Sequence, residues 1–198
     1  MTYRVRVPVQ TNKVLPFNDL LLHAGPARLV SGSGEDWNHL EILNSNEEVL
    51  ASLKRIQAEE KDEEVGRLRE ELKYALPPNA REWVNNYLSE VKTIFIFELN
   101  VDNISGKDWE VLGRFQNMLK DALQGIVQAD HEGYYNEKGD YILWQMYEGA
   151  GGTIPAAVLD QNGNWISFNL KLNKPEAVQR FKEGILPKKG LLSRLLGG

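Results

Sequence analysis

The sequence predicts an α+β fold, and three observations carry the prediction. The C-terminal half reads β-α-β-β-β-β-α, an antiparallel meander with covering helices. Apolar and polar residues alternate at the period of a half-buried strand at both ends of the chain. Between those ends, charge-rich segments carry apolar residues at helical spacing. With 198 residues, 42% hydrophobic and 26% charged, the chain is of a size that typically buries about 70% of its unfolded surface. Collagen-like, low-complexity and wholly disordered classes are excluded.

Tyr3, Val5 and Val7 alternate with Arg4 and Arg6, which places an opening strand over 2–9, and Pro8 assigns it to a sheet edge or marks its end. Pro16 to Ala24 starts a short helix that Gly25-Pro26 stops. Two short strands follow at 27–30 and 37–43, around the turn-forming Ser31-Gly32-Ser33-Gly34. From Asn46 the composition turns to Glu, Lys, Arg, Leu and Ala. Val49, Leu53 and Ile56 form one helical stripe and Val65, Leu68, Leu72 and Ala75 another, so a helix or a helix pair is expected up to Pro77-Pro78. Asn79 then caps a helix through Glu90, with Trp83, Val84, Tyr87 and Leu88 on one face.

Thr93 to Leu99, apolar on both faces at its centre, reads as a central buried strand. Ser105 and Asp108 form a capping box for a helix with Trp109, Leu112, Phe115, Leu119 and Leu123 at helical spacing, stopped by Gly125. Strands are expected at 126–135, 140–148, 153–160 and 164–172, with hairpin turns at Asn136–Gly139 and Gln161–Asn164. In the last strand Ile166, Phe168, Leu170 and Leu172 define the buried face, and a final helix runs over 174–184 with Val178, Phe181 and Ile185 inward. The chain thus divides into an N-terminal α+β part ending in charged helices (1–76), a meander with covering helices (79–187) and a basic leucine-rich tail (188–198).

Charge is uneven. Between residues 31 and 73 there are 12 acidic and 6 basic side chains, and between 74 and 170 there are 13 and 6. The last 28 residues reverse the balance, with 7 basic and 2 acidic. An acidic body with a basic end lacks the broad positive surface that phosphate contacts require, so nucleic acid is not an expected partner. No apolar run reaches membrane-spanning or signal-peptide length, which makes the cytoplasm the expected location. With 0 cysteines there is no disulfide, thiolate metal site or cysteine nucleophile.

Motifs for chemistry are sparse, and no cofactor or metal is expected. His23, His39 and His131 have no partners at metal-ligand spacing, and His131-Glu132 in a strand would point to opposite faces. Neither Ser31–Gly34 nor Ser105–Asp108 has the spacing of a phosphate loop. Asp160, Asn162 and Asn164 imitate a calcium loop, but Trp165 and Lys171 occupy the positions where glycine and glutamate are needed. GxSxG is absent.

Function is read in two ways. The leading reading is a soluble, non-catalytic module that binds another protein, including an acidic inhibitor or immunity-type protein as a special case. Its contact residues are Lys188, Lys189, Leu191, Leu192, Arg194, Leu195 and Leu196, whose leucines form one helical stripe. Such a stripe suits a partner groove or peripheral contact with an anionic membrane surface. The alternative is a ligand-binding or catalytic pocket made by the meander aromatics and the 149–152 glycine loop, using His131, Tyr135, Trp144, Gly151 and Gly152.

Overall fold

A computed structural model describes residues 2–101, 104–146 and 149–186. Its elements in chain order are β1 (Thr2–Val9), α1 (Phe17–His23), β2 (Ala27–Gly32), β3 (Trp37–Leu43), β4 (Val49–Ile56), α2 (Ala58–Leu72) and α3 (Pro78–Ser89). They continue as β5 (Thr93–Asn100), α4 (Gly106–Leu123), β6 (Val127–Ala129), β7 (Gly133–Tyr135), β8 (Tyr141–Trp144), β9 (Thr153–Leu159), β10 (Trp165–Lys171) and α5 (Pro175–Lys182). The described strands form one mostly antiparallel sheet, in the order β10-β9-β8-β7-β6-β1-β5-β4-β3-β2. The fold is α+β, as the sequence predicts.

Alternation along the strands sends side chains to two helical layers. Val5, Val7, Phe95, Phe97, Leu40 and Leu53 pack under α1 and α4, whose Leu20, Leu112, Phe115 and Leu119 are buried against them. Ile94, Ile96, Ile126 and Tyr134 face α2 and α3, which bury Val65, Leu68, Leu72, Val84 and Leu88. α5 covers the outer strands through Phe181, which stacks on Tyr141 at 5.6 Å, and Tyr135 touches both this cluster and the α4 layer.

Four expected elements are corrected, and three residue assignments with them: Ile166 and Ile185 are exposed, and Asn79 lies inside α3, whose N-cap is Pro77. β1 is central, not an edge: it pairs antiparallel with β5 along Thr2–Val9 and with β6 at Val5 and Arg6. Pro8 is tolerated because its unavailable N–H lies on the β6 side, where that short ladder has ended, and its carbonyl accepts from the Ile126 N–H at 3.3 Å.

The stripe at Val49, Leu53 and Ile56 belongs to strand β4, not a helix. Ala51, Leu53 and Arg55 are its buried residues. Arg55 reaches the Asp36 carboxylate and, at 3.0 Å, Asn38 Oδ1, so a charged residue sits on the inward face and conceals the two-residue period. Gln57 alone separates β4 from α2, whose first half is the polar run Ala58 to Glu64.

The expected strand over 126–135 is two strands, β6 and β7, with His131 at φ +61° in the turn between them. Finally, β8 and β9 pair in parallel, with Tyr141 opposite Ala156, so no hairpin joins them and the C-terminal sheet is not a simple meander.

The capping box of α4 forms as expected: Ser105 Oγ accepts from the Asp108 N–H at 3.3 Å and the Asp108 carboxylate accepts from the Ser105 N–H at 2.9 Å. The helix closes on Gln124 in the left-handed region, φ +53°. Gly125 has a different duty, since a Cβ there would stand 2.9 Å from the Cγ1 atoms of Val7 and Val9. It lets the end of α4 lie directly on β1.

Candidate functional site

Between α4 and strands β1, β6 and β7 lies a cleft of about 470 Å³. Its floor follows from strand alternation: Tyr3 and Val5 on β1, Val127 and Ala129 on β6, and Tyr135 on β7 present one face. The wall is one side of α4, where Trp109, Gln116 and Lys120 recur at two-turn and one-turn steps. Val5, Val127 and Ala129 are buried, whereas Trp109 is 43% exposed at the mouth.

Glu132 gives the cleft its polarity. Tyr3 Oη donates to Glu132 Oε1 at 2.7 Å and Tyr135 Oη donates to Oε2 at 3.0 Å, so each carboxylate oxygen receives one hydroxyl. Burial and then the adjoining Glu132 carboxylate push both phenols well above the usual tyrosine range, and they remain O–H donors at any ordinary pH. Tyr141 fixes the same turn from the backbone side, its hydroxyl donating to the Glu132 carbonyl at 2.7 Å while accepting from the Gln145 N–H at 3.0 Å. Lys120, buried at the cleft wall, donates from Nζ to Asp121 Oδ1 at 2.5 Å and to the Glu137 carbonyl at 2.8 Å.

Two positions earlier, Asp130 points to the opposite side of the sheet. Its Oδ1 accepts from Arg6 Nη1 at 2.5 Å and its Oδ2 from the Arg4 N–H at 3.1 Å. Arg6 is fully buried and also donates to Glu64 Oε1 and Gln128 Oε1, each at 2.5 Å. Burial raises the Glu64 pKa, but the hydrogen bonds from Arg67 and Arg6 outweigh it and hold the carboxyl below its ordinary value. A second cleft of about 350 Å³, lined by Glu71, Asp130, His131 and Gln145, opens beside this network. A broader hollow of about 600 Å³ lies over α3, around Trp83 and Tyr87, but none of its lining residues is buried. The α4 cleft alone of these three combines a buried apolar floor with a placed charged group.

The structure does not bring the sequence-predicted pocket residues together. Tyr135 lines the α4 cleft and His131 the second cleft. Trp144 packs against Phe181 at 6.3 Å under Lys182 Nζ, which lies 4.5 Å from its ring centroid. Gly151 and Gly152 line neither cleft, and a Cβ on either would meet no atom within 4 Å. Lys188, Lys189, Leu191, Leu192, Arg194, Leu195 and Leu196 lie outside the described residues. Sequence reasoning missed Tyr3, Trp109, Gln116, Lys120 and Glu132 as members of one site. The helical spacing of Trp109, Gln116 and Lys120 was available, but Tyr3 and Glu132 are 129 residues apart and meet only because β1 lies beside β6.

Among the described residues no group of three or more His, Asp or Glu is placed to hold a metal ion, and no helix is long and apolar enough to cross a membrane. Among the described residues, the fold and the cleft together define an α+β protein with helices on both faces of a ten-stranded sheet and a charged, aromatic-walled hollow. Compared with known proteins, the chain matches no family model, and searches of curated proteins and of solved structures return no significant match.

Proposed function

We propose that this chain is a small-molecule-binding protein whose site is the cleft between α4 and strands β1, β6 and β7. The observation that supports this reading is Glu132, a part-buried carboxylate held by two tyrosine hydroxyls above a floor of Val5, Val127 and Ala129. A preformed hollow of a few hundred Å³ with few, fixed polar groups is the usual form of a ligand site. The neighbouring tyrosines keep the carboxylate in one orientation, and the capping box and Gly125 seat α4 against the sheet.

The test is a thermal-shift screen of a chemically diverse small-molecule library against the wild type and Gln116→Trp, whose indole fills the cleft from the helix side. Ligands of this site raise the melting temperature of the wild type and leave the variant unshifted. Equal shifts in both proteins, or none in the wild type, would refute a ligand site in this cleft.

A further inference from the structure

We infer that the molecule held by the α4 cleft is a monocationic amine bearing N–H donors on a flat, apolar body; this rests on the reading of the cleft as a ligand site. An ionised carboxylate offers about four lone-pair sites. Tyr3 and Tyr135 fill one on each oxygen of Glu132, leaving acceptor capacity on both. Among the described residues no Lys, Arg or His nitrogen lies within 4.0 Å of this carboxylate. Every other contact of its oxygens described above comes from a neutral hydroxyl. A part-buried anion against apolar surface, with neutral donors only, is completed by a ligand cation.

The surroundings narrow the class. The rings of Tyr3 and Trp109, edge-to-face at 6.5 Å, and of Tyr135 line the same hollow, and aromatic faces attract a cation. An N–H-bearing ammonium satisfies the free lone pairs, which a quaternary ammonium cannot do. Lys120 lines the same cleft and disfavours a second positive charge, so polyamines fit poorly. Its ammonium is already engaged by Asp121 and the Glu137 carbonyl, which weakens it as a receptor for a ligand anion. Beneath Trp109 a narrow extension of about 60 Å³, lined by Val5, Phe97, Leu99 and Leu112, continues the cleft and takes an apolar body.

The test is isothermal titration of the full chain with phenethylamine and tryptamine, set against their neutral N-acetyl derivatives, phenylacetate and spermidine. The amines are expected to bind saturably and to outbind each of the other probes. Glu132→Gln, which keeps the side-chain length and a carbonyl for the tyrosines, weakens amine binding at least about tenfold. Trp109→Leu, at an exposed position, weakens it by a smaller factor, and cooperative melting curves show that both variants remain folded. Equal binding of the N-acetyl derivatives overturns the proposal, because charge is then not read. Preferential binding of phenylacetate also overturns it and assigns recognition to Lys120. If neutral or anionic library compounds stabilise the wild type but not Gln116→Trp while no amine binds, the cleft reading stands and the amine assignment fails. If neither screen nor titration shows binding, the cleft reading itself fails.

Discussion

Asp130 and Glu132 sit two residues apart in one turn, yet they serve opposite faces of the sheet in different ways. Asp130 faces the buried Arg6 guanidinium, which also engages Glu64 and Gln128. Charge there is matched by charge within the chain, and the ensemble joins β1, β6 and α2. Among the described residues Glu132 receives only tyrosine hydroxyls, and it looks into a cleft. The comparison teaches that a carboxylate's number of hydrogen bonds says less about its duty than whether its charge is answered inside the molecule. A matched buried pair punishes loss of either partner, whereas a carboxylate held by neutral donors can be changed with little harm to the fold.

The largest effect expected on that contrast is from Arg6→Met. It strands the carboxylates of Glu64 and Asp130 without their shared cation, and urea denaturation should show a loss of about 3–5 kcal/mol. A loss no greater than that of a surface substitution would remove the structural half of the comparison. Asp130→Asn keeps the shape and removes one charge opposite Arg6, so a loss of about 1–3 kcal/mol is expected in the same assay.

Acid provides the next test. The Glu64 carboxyl is held below its ordinary 4.5, so its stabilising contribution is fully present above that value and is lost as pH falls through the lower folded-state value. The stability gap between wild type and Glu64→Gln, followed by thermal melts from pH 7 to pH 2, should therefore close only below pH 4.5. A gap that closes above this pH contradicts the assignment.

Glu132→Gln should cost only about 0.5–1 kcal/mol of stability, the scale of one neutral hydrogen bond, even though it weakens amine binding at least about tenfold. A loss as large as that of Asp130→Asn would place both carboxylates in the structural class. Smallest of all, Gly151→Val, where a side chain meets no atom within 4 Å, should change the melting temperature by no more than about 0.5 kcal/mol allows and leave binding in the α4 cleft intact.

Local chemistry was readable from the sequence at several points decided by neighbours in the chain, though Asn79 does not cap α3, whose N-cap is Pro77, and α4 closes on Gln124. The capping box at Ser105 and Asp108 forms, Thr93 to Asn100 is a strand bonded on both sides, and Asp160 Oδ1 accepts from the N–H groups of Asn162 and Asn164, closing a hairpin instead of a calcium loop. What was not readable depends on distant partners. Arg55 is buried because Asp36 and Asn38 receive it, and without that knowledge its strand reads as a helix. Pro8 tolerates a central strand because β6 is only three residues long. The cleft is the extreme case: Tyr135 was singled out for its place among aromatics, but Tyr3 and Lys120 acquire meaning only from strand order.

That strand order also has a consequence during synthesis. The residues of β1 leave the ribosome before their partners, since one flank must await β5 and the other β6, the latter more than a hundred residues downstream. At about 5–20 residues per second, the second wait lasts roughly 6–25 s. During it a strand bearing Val5, Val7 and Val9 has no permanent neighbour on that flank. Arg4 and Arg6, interleaved with those valines, put two charges on the waiting strand, and charge on an unpaired edge disfavours pairing with other chains; in the finished protein Arg6 is sealed inside.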